Sequence, residues 1–158
     1  MAGPLPLPNV VVGEFVGKAH NDLMRVTEMI TQYPTLANAT YDWGNGDFET
    51  ALGAAAHMGR KDIAELLLAR GARICIFAAA MLGKIDIVKA IIRDDASALT
   101  RPGPHNISLL DHAKAGGNKD MIAYVSGLLK AASGSARSAK KAPKAKPAKK
   151  PAKKSKKR

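Results

Sequence analysis

Apolar positions in this chain recur at helical spacing. Ile63, Leu66 and Leu67 fall at i, i+3 and i+4, and Ile87, Ala90 and Ile91 repeat the pattern 24 residues later. That spacing gathers the apolar side chains on one face of a helix. A short Ala-rich run precedes each stretch, Ala54–Ala56 in one case and Ala78–Ala80 in the other, and a glycine, Gly59 or Gly83, stands between run and stretch. Glycine tolerates the left-handed conformation that ends a helix. Each unit therefore reads as two short helices, the first of them predicted over Thr50–Met58. Its small side chains let neighbouring helices approach closely. No segment shows convincing strand alternation.

The pattern is a repeat. Ala54–Leu68, Ala78–Ile92 and His112–Ser126 align, each with Ala, then Gly four residues on, then Asp three further, then an apolar stretch. A weaker copy, Val16–Ile30, precedes them, with Asn21 where the others have Gly59, Gly83 and Gly117. One such pair cannot bury its own apolar side, and stacking neighbours solves that. The spacing of the copies is uneven, at 38, 24 and 34 residues. The short interval leaves no room for a hairpin, so Arg70-Gly71-Ala72-Arg73 should run straight into the next helix. The long one gives the second copy an enlarged finger with its tip at Asp42–Phe48, where Asn45-Gly46 is a favoured two-residue turn. The last finger, Arg101–Asn106, is stiffened by Pro102 and Pro104.

Thr50-Ala51-Leu52-Gly53-Ala54-Ala55 occupies the place of a T-P-L-H-x-A motif, Gly59–Leu68 that of the second helix following it, and Arg70-Gly71-Ala72 that of a closing loop. On these residues the chain resembles the ankyrin-repeat family over about residues 14–130. Ala51 and Gly53 replace that family's Pro and His, which removes its usual Thr–His hydrogen bond. Ile74 and Ser108 stand for the Thr in the third and fourth copies, and the intervals depart from the family period of about 33. The resemblance implies an all-α, ankyrin-like solenoid of about four helix pairs. The first copy and an amphipathic last helix ending near Leu129 would be its caps. It also implies protein–protein recognition without catalysis, so no cofactor is expected, and the array is expected to be a monomer.

Charge adds a second part to the chain. The net charge is +12, yet residues 1–130 carry 13 basic and 13 acidic side chains, so the whole excess lies in residues 131–158. That segment is rich in Lys, Ala and Pro, with Pro143, Pro147 and Pro151 at four-residue spacing that forbids a continuous helix. Its like charges push the chain open, and nothing in it larger than Ala or Pro is apolar, so it is expected to be disordered. In composition it resembles the tails of linker histones and of some bacterial nucleoid proteins. Arg137, Lys140, Lys141, Lys144, Lys146, Lys149, Lys150, Lys153, Lys154, Lys156, Lys157 and Arg158 are the candidate contacts to DNA or RNA phosphates. Lysine is a point charge without base-reading geometry, and no aromatic is present to stack on bases. Rival roles for such a run are a nuclear-localisation signal, a tether to anionic lipid or an acidic protein, or a solubilising tail.

The rest of the composition mainly excludes. One cysteine, Cys75, rules out an internal disulfide framework and a Cys-rich zinc site; in its apolar run it reads as a small buried hydrophobe. Residues 1–13 have no basic n-region and contain Pro4, Pro6 and Pro8, a poor signal peptide. The longest apolar run, Ile74–Leu82, is nine residues, too short to cross a bilayer. A cytoplasmic protein is expected, nucleoid-associated or nuclear according to the host.

Candidate chemistry concentrates on the fingers. Asp42, Asp47 and Glu49 do not make a calcium loop, because Gly44 and Gly46 occupy the positions that need side-chain oxygens. Asp42, Trp43, Asn45, Asp47 and Phe48, with His105 and Asn106 of the last finger, read better as a partner-binding surface with an aromatic anchor. The plainer alternative has Trp43 and Phe48 fold back over the helices. His20 and His57 fall near the ends of the first helices of copies one and two, and equivalent positions line up in a stacked array. A second function class would use His105, Asp111 and His112, with Asp42 and Trp43, as a small-ligand, acid–base or metal site. No H-E-x-x-H spacing and no nucleophile elbow support it, and solvated or capping histidines are the simpler account. Gly116-Gly117-Asn118-Lys119 lacks the spacing of a phosphate loop.

Overall fold

The computed structural model describes residues 6–139. They form eight α-helices in four pairs, with a two-stranded hairpin between the first and second pairs. The pairs are α1 (Asn9–Lys18) with α2 (Leu23–Gln32), α3 (Ala51–His57) with α4 (Lys61–Ala69), α5 (Ile76–Met81) with α6 (Ile85–Asp94), and α7 (Leu109–Gly116) with α8 (Lys119–Ala139). The all-α repeat architecture expected from the periodicity is therefore present, in the expected order. Among the described residues no helix is long and apolar enough to cross a membrane.

The breaks inside the pairs are made as the spacing implied. Gly59, Gly83 and Gly117 adopt φ of +68°, +73° and +70°, where a side chain is strained. Asn21 does not share that conformation. The amides of Asn21 and Asp22 both bond to the Lys18 carbonyl, and Asp22 then caps α2 by accepting from the Arg25 amide at 3.0 Å. A side-chain cap there removes the need for a left-handed residue. Thr50 and Ser108 cap α3 and α7 in the same way, accepting from the Gly53 and Asp111 amides. The third copy has no such residue. Cys75 takes the cap position of α5 without a side-chain hydrogen bond, so this helix begins one residue late and Cys75 is half-buried rather than interior.

The first helices pack in a row, α1 on α3, α3 on α5 and α5 on α7, and each later second helix lies against its own first helix. Close approach depends on small residues. Ala54–Ala56, Ala78–Ala80 and Ala113 are fully buried, and a Cβ at Gly116 would run into the Met81 carbonyl. In α4, Ile63 and Leu67 are buried, as expected, while Leu66 is half-buried and Ala64 is buried in its stead. In α6 the buried residue is Val88, while Ile87 and Ile91 are half-buried and Ala90 is exposed. The register expected there was turned by about one residue. The same shift shows in α4, where Ala64, the equivalent of Val88, is buried; α6 packs on α5 and on the 3-10 turn Ala96–Leu99 that follows it.

Both ends of the array extend past the expected limits. Pro8 caps α1, which starts at Asn9, so residues 9–13 belong to the helix and Val12 joins the core. The last helix runs to Ala139, ten residues past Leu129. Ala131 and Ala132 favour helix strongly enough to continue it without an apolar partner. The remaining tail, from Lys140 to Arg158, lies outside the described residues, and with it every proposed tail contact except Arg137.

The hairpin pairs β1 (Thr40–Asp42) with β2 (Phe48–Thr50) in antiparallel register, Tyr41 opposite Glu49. Asn45 and Gly46 both have positive φ, +56° and +81°, and the Asp47 amide bonds to the Gly44 carbonyl at 3.1 Å. This is the mirror-image turn that Asn-Gly favours, because its twist matches that of the strands. Between α4 and α5 there is no finger; Asn38 pins the connector instead, donating to the Gly71 carbonyl and accepting from the Arg73 amide.

Candidate functional site

Because the third copy has no finger, nothing separates the hairpin of the second from the last finger. The two meet. The Asp47 carboxylate accepts from the His105 amide at 2.9 Å and lies 2.6 Å from its ring Nδ1, a contact across 58 residues of sequence. His105 and Asn106 reach it with left-handed backbones, φ +55° and +58°. Pro102, Pro104 and Phe77 line a groove with Gly46, Asp47 and Phe48 where the fingers adjoin.

Strand alternation sends Phe48 outward and Glu49 inward. Phe48 is 60% exposed, whereas Glu49 is fully buried. A buried carboxylate needs donors, and Glu49 has several. Trp43 Nε1 donates to Oε2 at 2.9 Å, His57 Nε2 lies 3.0 Å from Oε1, and His105 Nε2 lies 3.1 Å from Oε2. His20 Nε2 stands 3.7 Å from Oε2. Three histidines from three parts of the fold thus surround one carboxylate: His20 from the turn after α1, His57 from the end of α3 and His105 from the last finger. Their rings are 4.9 to 6.2 Å apart between centroids. Burial opposes the charge on Glu49, but the donors His57 and Trp43 and the charges of His105 and His20 outweigh it and hold the carboxyl below its usual range. Burial likewise opposes the charge on His105, and the carboxylates of Glu49 and Asp47 outweigh that, raising its pKa. The His105 amide and ring in turn hold Asp47 low.

The other outer carboxylates are engaged locally. Asp42 accepts from the Gly44 amide at 2.8 Å and so shapes the turn. Asp111 accepts from the Ser108 hydroxyl and from Lys114. His112 is fully buried, its Nδ1 2.8 Å from the Ser108 carbonyl, and its Nε2 has no partner among the described residues. No hydrogen bond or ion pair joins His105, Asp111 and His112 among the described residues, so the site proposed from those three is not assembled. His105 belongs instead with His20, His57 and Glu49. The position of His20 one residue before Asn21 and of His57 two residues before Gly59 was the available signal. Glu49 carried none, since its role depends on hairpin register and on the path of a distant loop.

Of the finger residues, Trp43 is 43% exposed, with its ring edge-on to Tyr41 at 4.7 Å. Neither Trp43 nor Phe48 folds back to cover the helices fully. Residues 47–77, from the hairpin's second strand through α3 and α4 into α5, match the family model described as ankyrin repeat. No curated protein and no solved structure matches the chain. An ankyrin-type repeat points to protein–protein interaction.

Proposed function

We propose that this chain is a non-enzymatic protein-binding module whose contact surface is formed by the hairpin and the last finger together. The observation that carries the reading is the Asp47–His105 link. It fixes two fingers from separate repeats beside each other, with Trp43 and Phe48 exposed on the hairpin. A rigid surface loses little freedom on binding, and exposed aromatics are the residues that most often anchor a partner. Asp42, Asn45 and Asn106 supply polar groups around them. The basic tail, on this reading, adds electrostatic contact with nucleic acid that is independent of sequence, through the lysines from Lys140 onward.

The test is Trp43→Ala. The expected result is a folded protein by circular dichroism that captures its partner from host lysate more weakly by about 2 kcal/mol or more. Undiminished capture by the folded variant would count against the surface.

A further inference from the structure

Around Glu49 the ring nitrogens of three histidines gather. We propose that His20, His57, His105 and Glu49 bind one divalent transition-metal ion, zinc by preference, which locks both fingers to the first two repeats. One donor atom from each of the four residues lies within 4.8 Å of every other. Zinc bound tetrahedrally by nitrogen and oxygen at about 2.0–2.1 Å places its ligand atoms about 3.3 Å apart. Glu49 already stands 3.0, 3.1 and 3.7 Å from the three ring nitrogens. The widest separation has to close by about 1.5 Å to reach that edge. His20 and His105 are the partly exposed members, with side chains 22% and 32% exposed, and are the ones that move inward.

The surroundings of the rings orient them as ligands. His20 Nδ1 is 3.1 and 3.0 Å from the carbonyls of Val16 and Gly17. A carbonyl only accepts, so this nitrogen carries the hydrogen, and Nε2 is the atom turned to Glu49. Without a metal a proton on Nε2 bridges ring and carboxylate; a metal ion takes the place of that proton on the same lone pair. His105 repeats the arrangement, with Nδ1 against Asp47 and Nε2 toward Glu49. A ring nitrogen held by a backbone carbonyl or a carboxylate, with the other turned to the centre, is how ligating histidines are oriented. His57 turns Nε2 to the same centre, 3.0 Å from Glu49 Oε1. The ion's two positive charges balance the carboxylates of Glu49 and Asp47. Imidazole-rich donors select zinc and its neighbours over magnesium or calcium, which prefer oxygen.

Tag-free, full-length protein is stripped with chelator and titrated with ZnCl2 by calorimetry, with MgCl2 as the control. Metal content after dialysis and thermal melts are read in parallel. The expected result is one zinc per chain, no magnesium, and a melting temperature that rises with zinc concentration. His20→Gln and His105→Gln should each weaken zinc binding by about 100-fold or more while circular dichroism stays native. Asp47→Asn, which alters only the partner of His105, should weaken it by about 10–100-fold, and Asp111→Asn should leave it unchanged. Absence of stoichiometric zinc uptake overturns the proposal. So does uptake that is the same in His20→Gln and His105→Gln as in the wild type. Should either histidine variant unfold, unchanged affinity in Asp47→Asn does the same. None of these results depends on whether the fingers bind a protein.

Discussion

Gly116 and Gly127 lie in successive helices and respond oppositely to one added methyl group. At Gly116 a Cβ would strike the Met81 backbone, which cannot rotate away, so α7 would have to move off α5. Gly116→Ala should cost about 1–3 kcal/mol or more. Gly127 sits on the exposed side of α8 with nothing within 4 Å of where the methyl would stand, and Gly127→Ala should stabilise by about 0.5–1 kcal/mol through helix propensity. Thermal melts of the two variants check both signs. Buried His112 makes a different residue-scale prediction. Burial holds its pKa below the ordinary histidine value, the Ser108 carbonyl opposing only in part. The unfolded chain therefore takes up this proton at higher pH than the folded one, near about 6.5. Stability is lost as pH falls below that value, and His112→Leu removes the loss. With chelator present, the melting temperature of His112→Leu relative to wild type should rise between about pH 8 and pH 5. A constant difference would contradict it. The raised pKa of His105 acts in both proteins and cancels. At this scale the helix-breaking glycines were legible in the sequence, because a left-handed residue has few alternatives. Glu49 was not, because a carboxylate in a strand looks solvated until its neighbours are known.

The helix pairs and the Asn-Gly hairpin were legible as elements because their signals are local: a 3.6-residue period, a glycine, a turn dipeptide. The facing of α6 was not. Its half-buried Ile87 and Ile91 suit either side of the helix, and which residue goes inward depends on how α6 sits against α5 and the turn Ala96–Leu99. Val88, fully buried, is the residue that decides it. Val88→Asp places an unpaired carboxylate between α6 and α5 and should cost several kcal/mol. Ala90→Asp, on the exposed side, should change stability by about 0.5 kcal/mol or less. Denaturant titrations of the pair test the register, and equal losses would mean that α6 is turned otherwise. The same locality explains the last helix. Alanine and serine after Leu129 continue it to Ala139, although the charge distribution had placed the boundary at residue 130.

Over the whole molecule, the uneven intervals between repeats turn out to shape the candidate site. Omitting a finger from the third copy brings the second and fourth into contact, and the histidines of three copies then meet Glu49. The intervals were countable in the sequence, but their consequence needed the stack. Charge is separable from this architecture. Ending the chain after Ala139 removes eleven basic residues and leaves a net charge of +1, with the last helix intact. Melting should barely change, while affinity for nucleic acid should fall to background. In the full chain, if about six to ten phosphates are neutralised, raising salt from about 50 to about 200 mM should weaken binding by about 10³ to 10⁵. Mobility shifts on two unrelated sequences check this, and binding that survives truncation or ignores salt would remove the tail from the account. The central claim, that two fingers act as one surface, is tested most directly by altering each finger separately. Trp43→Ala lies on the hairpin and Pro102→Glu on the exposed edge of the last finger. Quantitative capture from host lysate by the folded variants should show the same proteins lost from both, each weakened by about 2 kcal/mol or more. Loss of different proteins from the two, or of none from either, would contradict a shared surface.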